Sequence, residues 1–146
     1  MSFNMQRTLA IAEILDLVKE TKDVPTKVSL LRQYDSETLR YILELAFHPN
    51  VGWWLPEGSP PYKPSDVLDT EGRLYKEART LPLYLYGNRP DLKKHQRENL
   101  FIGLLESLHP KDAALLIAVK DKKVEGLNIA TINEAFPGLI PNEQNS

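Results

Sequence analysis

Apolar positions recur at helical spacing along the first third of the chain. Between Leu9 and Val18, residues Ile11, Ile14, Leu15 and Val18 fall at i, i+3, i+4 and i+7, the stripe of an amphipathic helix. Asp23 has the chemistry of an N-cap and Pro25 suits a first helical turn, so Thr26 to Tyr34 predicts a second helix burying Val28, Leu31 and Tyr34. Ser36 caps a third, whose inward face is Leu39, Ile42, Leu43, Ala46 and Phe47. Connections this short predict an antiparallel three-helix bundle.

The pattern breaks at His48-Pro49-Asn50, and a proline-rich loop from Glu57 to Pro64 follows the pair Trp53-Trp54. The tryptophans are expected to pin this irregular chain to the helices, because large aromatics supply burial where regular structure does not. Ser65 to Thr80 reads as partly helical, weakened by Gly72. Leu81 to Tyr86 alternates leucine with Pro or Tyr and lacks a partner strand, so an extended linker is expected. The longest helix is predicted from Asn88-Arg89-Pro90 to about Leu108, with Phe101, Leu104, Leu105 and Leu108 inward. Pro110 starts another, Lys111 to Lys120, expected to bury Ala114, Leu115 and Ala118 with Ile117 or Val119. A short amphipathic helix precedes the stop Phe136-Pro137-Gly138-Leu139-Ile140-Pro141. The expectation is an all-α domain of six or seven helices over residues 1–141, with a disordered tail at 142–146.

Composition narrows the class. With 146 residues, 42% hydrophobic and 26% charged, the chain suits one folded domain. The absence of cysteine excludes disulfides and thiolate metal sites. No apolar signal core and no run of 18 apolar residues occur, so a cytoplasmic protein without membrane contact is expected. The net charge of -2 is the wrong sign for a dedicated nucleic-acid binder, yet residues 73–123 carry eleven Lys or Arg against six Asp or Glu.

Catalytic chemistry is hard to place. His48, His95 and His109 lack companions at metal-ligand spacing, and no phosphate loop or nucleophile elbow occurs. Lys123-Val124-Glu125-Gly126 loosely imitates the K-x-D-G of covalent nucleotidyltransferases, but a lysine nucleophile needs a pocket that lowers its pKa and holds the nucleotide. The expectation is no enzyme, no cofactor and no metal.

Lys120 to Pro141 reads as a cation-bearing helix end, a glycine turn and a capped short helix, an arrangement that favours anions. It resembles the end of the N-terminal DNA-binding domain of ATP-dependent DNA ligases of the T-even phage type. Gly126, Asn133 and Phe136-Pro137-Gly138-Leu139-Ile140-Pro141 fall in register with that family's motif. Upstream, Leu45-Ala46-Phe47-His48-Pro49-Asn50-Val51-Gly52-Trp53-Trp54-Leu55 is similar to its L-T-Y-S-x-G-L-x-Y-Y-I segment. The resemblance implies an all-helical domain that grips duplex DNA, without the catalytic domains of the ligases. Two departures stand out: the family's R-D-L becomes Asp121-Lys122-Lys123, and Glu134 stands where it has a lysine.

Two functions are expected on this basis. The first is a noncatalytic duplex DNA-binding module, phage-encoded by resemblance, acting in the cytoplasm of an infected cell on nicked or plain duplex without sequence preference. Lys120, Lys122 and Lys123 would supply charge to phosphates, and Gly126 close backbone approach. Asn128, Thr131 and Asn133 would supply hydrogen bonds, with Lys93, Lys94 and Arg97 adding charge. The second is a protein-interaction adaptor or assembly component, binding a phage or host protein, that retains the scaffold without the DNA role. The first requires these cations to share one face free of carboxylates.

Overall fold

The computed structural model describes residues 8–141, so the expected tail at 142–146 lies outside the described residues. Seven α-helices form among the described residues: α1 (Ile11–Glu20), α2 (Val24–Gln33), α3 (Glu37–Phe47), α4 (Arg73–Glu77), α5 (Lys94–Ser107), α6 (Pro110–Lys120) and α7 (Ile129–Ala135). The fold is all-α. Among the described residues there is no strand, only an isolated antiparallel bridge between Trp53 and Leu85. None of the described helices is long and apolar enough to cross a membrane.

Side-chain acceptors start several of the helices. The Asp23 carboxylate accepts from the Thr26 N–H at 3.0 Å and Ser36 Oγ from the Leu39 N–H at 3.0 Å. Such caps satisfy amides that have no partner within the helix. His109 Nδ1 does the same for Lys111 at 3.1 Å. Helix α1 begins at Ala10, which has no side-chain acceptor to offer. The carboxylate of Glu13 takes the Ala10 N–H at 2.9 Å, and Asp112, a hundred residues away, takes the Ala12 N–H at 2.8 Å.

Helix α6 is the hub, packing on α1, α3 and α5, while α2 packs on α1 and α7. The first three helices are therefore not a closed bundle, because α3 turns its apolar face to α6 rather than chiefly to α2. The hub position also corrects the expected face of α6. Ala113, Leu116 and Val119 are fully buried, Leu115 is half-buried and Ala114 is exposed. A helix with neighbours on three sides buries more than one stripe, so periodicity alone places its inner face poorly.

Two further segments differ from expectation. Helix α5 starts at Lys94, not at Asn88, and residues 65–72 remain irregular until Gly72 opens α4. Leu81 to Tyr86 is not an extended linker: Ala78–Tyr84 is a 3-10 helix containing Pro82. Beyond it, the Trp54 N–H donates to Tyr84 O at 2.7 Å and the Tyr86 N–H to Gly52 O at 2.8 Å. These two bonds tie the tryptophan segment to the segment before α5, with Trp53 edge-on to Phe101 at 6.4 Å.

Asp112 is fully buried and its second oxygen has no hydrogen-bond partner among the described residues. Burial drives its carboxyl up from 3.8 to about 6, opposed by the Ala12 hydrogen bond and His109 and assisted by Glu13 and Glu71. The folded state thus holds a proton that the unfolded chain has released. Stability is greatest below pH 3.8 with respect to this group and falls as pH rises through about 6, by about 3 kcal/mol in all. Asp112→Asn keeps an acceptor for Ala12 but cannot titrate. Urea unfolding of the two proteins across about pH 4 to 7 is expected to show the variant gaining up to about 3 kcal/mol on the wild type as pH rises. Parallel pH profiles would count against it.

Candidate interaction surface

The segment after α6 begins with a cation turned inward. Lys120 is 6% exposed, and its ammonium donates to Pro56 O at 2.8 Å, Gly58 O at 3.0 Å and Asp121 Oδ1 at 2.6 Å. Asp121 Oδ2 in turn accepts the Gly58 N–H at 3.0 Å. All three ammonium protons are used, two on the proline-rich loop and one on Asp121, so Lys120 does not present charge at the surface.

Helix α6 ends in a Schellman turn, with the Lys123 N–H on Ala118 O at 2.8 Å and the Lys122 N–H on Val119 O at 3.2 Å. Lys122 occupies the left-handed position at φ 59°, which glycine usually fills. Its ammonium reaches Leu45 O at 2.8 Å and His48 O at 3.2 Å, the carbonyl end of α3, where a cation is favoured. Desolvation lowers the pKa of Lys122. Lys123 is exposed and pairs with Glu57 at 3.1 Å.

The polar residues further on are also engaged within the fold. Gly126 has φ +89°, and a Cβ there would lie 2.8 Å from Lys19 Cα. Its close approach is to α1. Asn128 Oδ1 caps α7 through the Thr131 N–H at 2.8 Å, and Thr131 is buried. Asn133 pairs both amide groups with the Ile140 peptide, at 2.8 and 2.9 Å. Arg32 from α2 closes the other end of α7 on Glu134 O at 2.8 Å and Ala135 O at 3.2 Å. Phe136 and Ile140 are buried in the hydrophobic core, so the proline-glycine signature helps close the fold.

Helix α5 divides its cations. Arg97 is 2% exposed, donates to Leu83 O, Arg89 O and Leu92 O, and lies 4.0 Å over the Trp54 ring. Lys93 and Lys94 are exposed, with no side-chain partner among the described residues. They stand by a groove of about 410 Å³ lined by Trp53, Trp54, Leu55 and Pro56, with Arg97 and Glu98. A contiguous groove of about 320 Å³ runs from Leu55 and Pro56 to Ile102 and contains Glu57 and Glu98. Tyr86, 71% exposed, packs on Trp54 with ring centroids 5.1 Å apart. Of the ten residues read as phosphate or backbone contacts, the structure thus leaves Lys93, Lys94 and the Glu57-paired Lys123 as exposed cations unconstrained by buried carbonyls. The proline-loop grooves escaped sequence reading because their walls meet across more than 30 positions of chain. The pair Trp53-Trp54 was their one visible sign. No group of three or more His, Asp or Glu among the described residues could hold a metal.

The chain belongs to the family described as a family of unknown function, DUF6433, which matches residues 14–126. The match takes in the hub helix and both grooves and stops before α7. No curated protein matches the chain.

Two substitutions separate structural from exposed cations. Lys120→Ala removes the counter-charge of Asp121 and the donor to two loop carbonyls and is expected to cost about 3 kcal/mol in urea unfolding, against under about 0.5 kcal/mol for Lys123→Ala. Equal effects would show that Lys120 is not holding the loop. Gly126→Ala meets both the left-handed backbone and Lys19, and its thermal midpoint is expected to fall by an amount equivalent to about 2 kcal/mol or more. A neutral result would mean that the approach to α1 is loose.

Proposed function

We propose that this chain is a noncatalytic protein-interaction domain, an assembly or adaptor component on a scaffold like the ligase DNA-binding domain that its sequence resembles. The observation that carries this reading is the disposition of charge. Arg97 and Lys120 face inward, Lys122 is bonded to carbonyls of α3, and Lys123 is matched by Glu57. A duplex backbone needs several cations on one face, each neutralising a phosphate. Here Glu57 and Glu98 occupy the groove toward which these helices project. Apolar floor, aromatic rim and isolated charges of both signs are the composition of a protein-binding surface. The setting implied by the resemblance, a phage protein in an infected cytoplasm, is part of the proposal.

Duplex DNA is the second reading, favoured by Lys93 and Lys94, exposed cations at the start of α5 with no side-chain partner among the described residues, Lys94 lining the groove with Trp54. Fluorescence anisotropy with labelled nicked and intact duplexes at low salt, run beside affinity purification of the tagged full chain, separates the two. The protein reading predicts a stoichiometric protein complex and no saturable duplex binding. Saturable, steeply salt-dependent duplex binding that disappears in Lys93→Glu/Lys94→Glu, with no protein complex, would replace it with the DNA reading.

A further inference from the structure

The irregular loop between Pro64 and Gly72 carries the two most exposed aliphatic side chains described, Val67 at 65% and Leu68 at 84%. They are held out by local bonds. Ser65 Oγ accepts the Val67 N–H at 3.1 Å, and Asp69 takes the left-handed conformation at φ 61° that turns the chain back. Asp66 and Asp69 flank them, both exposed and neither with a partner among the described residues. The loop is tied to the end of α5 by the Lys63 N–H on Glu106 Oε2 at 2.8 Å. It is an apolar tip between two carboxylates, and leaving Leu and Val in water forgoes the stabilisation that burial supplies.

The complementary surface lies at the other end of the same helix. The groove of about 410 Å³ has walls of Trp54, Leu55, Pro56, Pro90 and Leu92, with the exposed Lys94 on its rim and Lys93 next to it. Glu98 is its only carboxylate and lies one helical turn inward from Lys94. Twelve positions of α5 separate Lys94 from Glu106, about 18 Å along the axis, and the loop tip does not line the groove of its own chain.

We propose that the loop tip of one copy docks in the groove of another, Val67 and Leu68 entering between Trp54 and Leu92 while Asp66 and Asp69 meet Lys93 and Lys94. This inference rests on the protein-interaction reading and names the partner as a second copy of this chain. The contact is head-to-tail, so each copy keeps a free tip and a free groove, and association continues into rings or chains unless the geometry closes. A single loop in a groove is a small interface, and the affinity expected is accordingly weak, on the order of 10 to 100 µM.

Sedimentation velocity of the full chain from about 5 µM to 1 mM at low salt tests it. The weight-average sedimentation coefficient is expected to rise with concentration and to fall back as salt is added. Leu68→Asp is expected to abolish the rise, and Asp69→Lys and Lys94→Glu each to weaken it at least about tenfold. Equimolar mixing of the last two restores an intact tip and an intact groove on different chains. The mixture is therefore expected to associate more strongly than either variant does alone. A wild type that stays monomeric throughout, a Leu68→Asp protein that associates as the wild type does, or a mixture that shows no recovery would overturn the proposal. Recovery of a different protein partner alongside monomeric behaviour would overturn this inference and leave the protein-interaction reading standing.

Discussion

The ammonium of Lys120 is the contact on which the long irregular segment of this protein depends. Residues 48–72 contain no helix, and a chain without regular structure must find partners for its peptide groups elsewhere. Lys120 supplies two of them, at Pro56 and Gly58, and Asp121 supplies a third to the Gly58 N–H. The pair sits at the end of α6, whose own flanks are covered by α1, α3 and α5. The same end of the hub thus fixes the loop, and through the loop the walls of both grooves. An isolated buried charge would be costly; this one is matched by a carboxylate and saturated with acceptors.

The pattern repeats along the chain. Lys122 caps α3, Lys27 reaches Gly126 O at 2.6 Å, Arg32 caps α7, and Arg97 gathers three carbonyls under Trp54. Cations are used here as internal clamps on carbonyl groups at helix ends and in loops. At the surface Lys19, Arg40, Arg73, Arg89, Lys111 and Lys123 are each matched by a carboxylate. Within residues 73–123, Arg97 and Lys120 are buried, Lys122 is bonded to carbonyls, and Arg73, Arg89, Lys111 and Lys123 are paired with carboxylates. Lys76, Arg79, Lys93 and Lys94 are left as exposed cations without a side-chain partner among the described residues, so a sequence count of charges overstates what the surface presents.

That explains which features were legible in the sequence. The caps Asp23 and Ser36 act locally, and both sit where spacing placed them, whereas Asn128, read as a DNA contact, proves to be the cap of α7. The stripes of α1 and α3 were readable because each faces the core on one side. Helix α6 is flanked on three sides, which blurs its period, and the bridge from Trp53 to Leu85 depends on a pairing 32 residues apart in the chain. Gly126 was recognisable as a point of close approach, but nothing local indicates that α1 is what approaches. For the lysines the limit is sharper. Whether an ammonium faces water or a carbonyl is decided by which loop packs beside it, and no spacing rule carries that information.

The most direct test of this account is the side-chain ammonium of Lys120 itself, observed by nitrogen-15 NMR in the presence and absence of duplex DNA. Three hydrogen bonds in a buried site predict a resonance whose protons exchange with water at least about tenfold more slowly than those of Lys93 and Lys94, unchanged on adding DNA. A Lys120 ammonium that exchanges as fast as those two, or that shifts with the duplex, would contradict the claim that the cations of this segment serve the fold.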